Sequence, residues 1–273
     1  MANALTQYYS NGDWEVASAL AKSKRQGPVS YGFDEAEAAK IEVPFLIGVL
    51  NNTVPSNFWV LSEVFSDHTL LSAIRSEVSA AVESSTSKHI INIGLLKRKC
   101  PLLLSVYQET LRKRTSFSAA RFVIADTTIS NGTTTYLLKQ GSIAYVNSDA
   151  IHEDAANWGP DAPNKDLHRF IDPSKKKKHP LAFRAFGGAP YICPGRHFAT
   201  TEVMAIVAML SMRFDMEPVG GKWKIPKEKL NMFGSVLPPA EDIEVVFKER
   251  KGWGGEWEFN VGEKGLPWAL ESG

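Results

Sequence analysis

Cysteine is nearly absent: Cys100 and Cys193 are the only two among 273 residues. Two thiols are too few for a disulfide framework. They point to a reducing compartment, where a cysteine serves as a ligand or as a small buried apolar group. A dominant sign of charge is missing as well. Thirty-one Lys and Arg against 30 Asp and Glu leave a net charge of +1. No chain-wide field therefore argues for nucleic acid or an anionic membrane as partner. Long apolar runs are also lacking, since a membrane-spanning helix needs about 18 consecutive apolar residues. Met1 to Val16 mix Asn, Gln, Ser, Asp and Tyr rather than forming a leader, so a cytoplasmic chain without an anchor is expected. There is no internal repeat, and the single low-complexity run is Lys175 to Lys178. No glycine-rich loop opening a helix with a downstream acid marks a dinucleotide site, so reducing equivalents have to come from another protein.

What is present reads as helices, then short strands, then one more helix. Asp34 with Glu35 and Glu37 behind it predicts an N-cap and a long helix running toward Phe65. Pro44 and Pro55 interrupt it, and Pro55 should leave the carbonyl of Asn51 unbonded beside Asn52 and Thr53. Ser66-Asp67 caps a second helix through about Val82, and Cys100-Pro101 opens a third to Arg114. The period then changes to two around Arg121, Thr133 to Leu138 and Ser142 to Val146, with tight turns at Asn131-Gly132 and Gln140-Gly141. An irregular loop fills Trp158 to Lys178, a helix runs from about Gly195 to Arg213, and Ile243 to Phe247 reads as a strand. The fold class is mainly α with small β-sheets (α+β). Residues 1–33 form an irregular or helical lead to residues 34–273.

Cys193 lies in Phe186-Gly-Gly-Ala-Pro-Tyr-Ile-Cys193-Pro-Gly195, just before the last helix, where backbone N–H groups and the helix dipole stabilise an anion. Gly187, Gly188 and Gly195 let the backbone pass close to a flat ligand, and Phe186 can lie against one. Cys193 alone also reads as a buried cysteine after a turn. Glu109 and Arg112, three apart on one helix face, would by themselves be an ordinary ion pair. Cys100, ahead of Pro-Leu-Leu-Leu, reads as a cap or core residue.

Taken together, Glu109-x-x-Arg112, Arg169-Phe170 after Trp158-Gly-Pro-Asp-Ala, and the Cys193 segment continued by Arg196-His-Phe-Ala resemble the cytochrome P450 family over nearly all of residues 34–250. The resemblance implies a haem-thiolate monooxygenase with Cys193 as iron ligand and Phe186 against the haem. Arg121 or Arg184 would pair with a propionate, because Tyr191 stands where the family often has a basic residue. Glu109, Arg112 and Arg169 would form a buried charge network fixing the loop that presents Cys193. The long helix resembles the oxygen-binding helix, with Asn52 replacing its acid and Thr53 keeping its alcohol. Asn-Thr-Val-Pro-Ser-Asn-Phe-Trp59 is similar to the branch holding sterol 7α-hydroxylases, prostacyclin synthase and fungal relatives. Ala189 stands where the family has glycine; if that position requires a positive φ, alanine costs about 1 kcal/mol.

The family's chains are much longer, so the N-terminal part of its fold is expected to be missing: the membrane anchor that ties full-length relatives to the endoplasmic reticulum, the early helices and sheet, and the lid. Implied partners are O2, a lipophilic small-molecule substrate and an NADPH-dependent flavin reductase, for which Lys175 to Lys178 would be a docking patch. Val49 to Val54, the strand near Arg121 and the tip at Ser235 would be the substrate contacts. Two alternatives stand beside the monooxygenase: a haem-thiolate isomerase or dehydratase needing no reductase, motivated by Asn52, and a non-catalytic truncated fragment.

Overall fold

The computed structural model describes residues 1–175 and 179–261. Helices α1 (Ala2–Ser10) and α2 (Ala19–Ser30) precede the long α3 (Glu35–Ser66) and α4 (His68–Ser79). Strands β1 (Val82–Ser84) and β2 (Lys88–Asn92) lead to α5 (Ile93–Lys99) and α6 (Pro101–Arg114). Then come β3 (Ser118–Phe122), β4 (Thr127–Ser130), β5 (Thr135–Leu138) and β6 (Ile143–Asn147). Helices α7 (Ser148–Glu153), α8 (Ala155–Trp158) and α9 (Arg196–Arg213) follow, with β7 (Phe214–Pro218), β8 (Val245–Glu249) and β9 (Glu256–Asn260) last.

The 32-residue α3 starts where Asp34 accepts from the Glu37 N–H while Glu37 reaches back to the Asp34 N–H, a reciprocal cap that satisfies two orphan donors. It continues through both prolines instead of breaking. Around Pro55 the side chains of Asn51, Asn52, Thr53, Ser56 and Asn57 each donate to the carbonyl four residues back. None of these bonds reaches the Asn51 carbonyl, the one that lacks its N–H because of Pro55. The following half of α3 buries Trp59, Val60, Val64 and Phe65 against Ile74 of α4, Leu103 and Tyr107 of α6, and Val203 and Met204 of α9. Helix α4 ends before Val82 because the N–H groups of Ala80 and Ala81 turn back to Glu77 and Val78, and Val82 begins β1.

The lead before Asp34 is helical. Tyr9 packs on Ala38 and Ala39 and donates its hydroxyl to Glu42 of α3; Arg25 bridges to Glu35. The strands do not pair in simple succession. β3 pairs with β6, enclosing the β4–β5 hairpin, and β7 pairs with β8. β1 pairs antiparallel with β2, which pairs parallel with β9 from the far end of the chain.

Candidate functional site

Below the Cys193 segment lies a buried charge cluster. Glu109 and Arg112 of α6 form a two-bond pair, Nε to Oε2 and Nη2 to Oε1, each 2.8 Å. Arg169, 60 residues on, brings Nε within 3.3 Å of Glu109 Oε2 and gives Nη2 to Asp161 Oδ2 at 3.1 Å. All three side chains are fully buried. Arg112 also donates to the carbonyls of His152, Ala162 and Asn164, and Glu109 accepts the Asp166 N–H at 2.8 Å. The irregular 159–170 loop, which has no ladder of its own, thus closes on two guanidinium groups and a carboxylate. Trp158, Phe170 and Phe183 pack edge to face around it.

Phe183 and Arg184 carry the chain from that cluster to the cysteine segment. The Arg184 N–H donates to His152 Nε2 at 2.8 Å, and the Gly187 N–H returns to the Arg184 carbonyl at 2.9 Å. Gly187 has φ +80° and Gly188 leaves room for the Arg184 guanidinium. The Cys193 N–H donates to the Phe186 carbonyl at 2.8 Å, which pins the half-buried Cys193 opposite Phe186 just ahead of α9. The positive φ falls on Gly187, and no non-glycine among the described residues has one, so the condition for strain at Ala189 is not met.

Cys193, Phe186, Gly187 and Tyr191 line one side of a cavity of about 680 Å³, within the size range of small-molecule and cofactor sites. Gly48, Asn52, Thr53 and Ser56 of α3 line it too, as do Ser235 and Val236. Tyr107 and Leu111 of α6 join them, and burial pushes the Tyr107 phenol pKa up. Thr53 Oγ1 donates to the Val49 carbonyl at 2.7 Å. The Asn52 amide gives Nδ2 to the Gly48 carbonyl at 2.9 Å and takes N–H groups from Ser235 and Val236 on Oδ1 at 2.8 and 3.2 Å.

The structure therefore brings Cys193, Phe186, Asn52 and Thr53 to one cavity. Arg121 is exposed and is not among the cavity-lining residues; its guanidinium stands 4.9 Å from the centre of the ring of Tyr191, which is among them. Arg184 is not among the cavity-lining residues; its side chain folds over Gly188 instead. Lys175 pairs with Asp166, whereas residues 176–178 of the lysine run lie outside the described residues. Cys100 is a core residue whose thiol pKa is pushed up to about 12 by burial, with the charge of Glu77 adding to it. One residue the sequence did not single out, His152, joins the charge cluster to the cysteine segment through its carbonyl and its ring. A lone histidine between a strand and a tryptophan carries no signal of this.

The cytochrome P450 family model matches residues 12–245. The chain is 34% identical to the cytochrome P450 monooxygenase nodJ of Hypoxylon pulicicidum, across 96% of this chain and 54% of that one. It is 31% identical to a cytochrome P450 monooxygenase of Gibberella zeae, across 92% and 51%. It is 28% identical to the cholesterol 7-alpha-monooxygenase of Cricetulus griseus, across 79% and 46%. The chain spans about half the length of these curated relatives. With a cysteine segment, a buried Glu-Arg-Arg cluster and a long helix facing one cavity, the chain belongs to the cytochrome P450 family.

Proposed function

We propose that this chain holds haem through the Cys193 thiolate and that its activity is to insert one oxygen atom of O2 into a lipophilic substrate. The residues present suit that group. The donor is a single soft sulfur among lining residues that include Ala185, Phe186, Phe198 and Ala199, and soft sulfur in an apolar, tunable pocket is a recognised iron environment. Gly187 supports a close approach, because it lines the cavity and its positive φ disfavours any side chain at that position. A thiolate-ligated haem bound there supplies oxygen activation, since the sulfur donates electron density that favours O–O cleavage.

The remaining roles fall to named side chains. Phe186 is assigned to packing against the flat group, and Arg121 to pairing with a carboxylate at the cavity rim. Arg184 is the second candidate for that pairing and requires its side chain to leave Gly188. Glu109, Arg112 and Arg169 are assigned to holding the loop that carries Cys193. Thr53 Oγ1 donates its proton to Val49, which leaves its lone pairs free to accept from a water, and we assign it to holding a water that delivers protons into the cavity. Electrons are assigned to an external NADPH-dependent flavin reductase. The observation that carries the reading is that Cys193 and Thr53 line the same largely apolar cavity.

The test is spectroscopic. The chain loaded with haem, reduced and exposed to carbon monoxide should give the red-shifted Soret band of a thiolate ligand, and Cys193→Ser should abolish it. Absence of haem uptake by the wild-type chain would sink the proposal.

A further inference from the structure

Asn52, which by resemblance stands in for an acid, has both acceptor sites of its Oδ1 engaged. Its Nδ2 donates to Gly48, and its Oδ1 accepts from both Ser235 and Val236. The segment it holds has few other bonds to α3. Ser235 gives its carbonyl to the Ser116 N–H, Leu237 gives its N–H to the Arg114 carbonyl, and the Leu237 carbonyl accepts from Trp59 Nε1 at 2.7 Å. The backbone of 235–237 is thus stitched on one edge to the end of α6 and on the other to α3, and Ser235 and Val236 form part of the cavity wall. Gly234 completes the fit. A Cβ there would stand 2.6 Å from the Asn51 carbonyl oxygen, the oxygen that Pro55 deprives of its helical N–H.

We propose that Asn52 is a positioning residue that, with Gly234, clamps the Ser235–Val236 wall against α3 and so sets which lipophilic molecules the cavity accepts. The proposal rests on reading this cavity as the substrate chamber. Oδ1 is the part of the side chain that matters, because one acceptor oxygen serves two N–H groups that would otherwise stay unpaired beside an apolar space. Aspartate keeps that oxygen and alanine does not.

Amide hydrogen exchange of the haem-free, isotope-labelled chain tests the clamp directly. Asn52→Ala should speed exchange at Ser235 and Val236 about tenfold or more and leave Leu237 within about threefold. Asn52→Asp should keep both amides protected. Gly234→Ala should release the same two amides with Asn52 intact. Titration with Nile red, a lipophilic fluorophore, should give weaker binding for Asn52→Ala and Gly234→Ala but not for Asn52→Asp. Unchanged exchange in Asn52→Ala, equal release in Asn52→Asp, or unaltered dye binding in variants whose amides are released would each overturn the clamp. If Asn52→Ala does not fold, Asn52→Asp against Gly234→Ala gives the same contrast. The carbon monoxide spectrum is a separate readout: a chain with this exchange pattern and no haem keeps the clamp and loses the haem assignment.

Discussion

Arg112 has five N–H donors, and the structure gives them acceptors on Glu109, His152, Ala162 and Asn164. Removing that fork while leaving Glu109 buried is expected to cost roughly 3–5 kcal/mol, read from the urea midpoint of Arg112→Met. Arg112→Lys should recover little of it, since an ammonium has three donors and no planar fork. His152 ties the same cluster to the cysteine segment, and its behaviour is a matter of pH. Its Nε2 accepts the Arg184 N–H, and Nδ1 finds no acceptor among the described residues. Burial, reinforced by Arg112, pushes its pKa down to about 4 from 6.5. The unfolded chain therefore takes up a proton near pH 6.5 and the native chain only near pH 4. Stability is unaffected above that window and falls as pH drops through it, by roughly 3 kcal/mol in all. Urea unfolding of wild type and His152→Gln between pH 7 and 4 should show a decline that the variant lacks.

Elements meet by borrowing groups from one another, and these loans are what a sequence conceals. Helix α6 begins at Pro101 with no side-chain cap from Cys100; instead the Glu77 carboxylate of α4 accepts the N–H groups of Leu102 and Leu103 at 2.9 and 3.1 Å. Burial raises the Glu77 pKa and these two bonds oppose the rise. Glu77→Ala should cost about 1–2 kcal/mol, seen as a lower thermal midpoint, because two helix-terminal donors lose their acceptor. The long helix was legible from Asp34 and its acids, but its continuity through Pro55 was not, since the half beyond the proline is held by burying Trp59, Val60, Val64 and Phe65 against other helices. In the same way β2 was not read from the sequence: Lys88-His-Ile-Ile-Asn92 does not alternate, its buried residues are His89 and Ile91, and its parallel partner lies at Glu256–Asn260. Gly255, at φ +95°, passes so near Ser87 that a Cβ would approach its carbonyl oxygen to 2.5 Å. Only the folded chain brings those two segments together.

Across the whole molecule, the cysteine motif, Glu109, Arg112 and Arg169 were legible only together, in the order in which the cytochrome P450 family carries them, since each alone also reads as a buried thiol or an ordinary ion pair. The cavity wall at Ser235 was only partly so, since its place is set by Asn52 and Trp59, whose bonds to it span 183 and 178 residues of chain. What remains open on the surface follows from the same geometry. Leu50 and Val54, four apart on α3, are 53% and 59% exposed, next to the helix turn whose other side lines the cavity. Leu230, Met232 and Phe233, just before Gly234, are more exposed still. Adjacent apolar side chains without cover drive association in water at about 25 cal/mol per Å² buried. The isolated chain is therefore expected to self-associate as its concentration rises. Sedimentation velocity should show a rising weight-average coefficient for wild type and a flatter one for Leu50→Glu combined with Met232→Glu. Equal concentration dependence in both would mean that this face is not the one that associates.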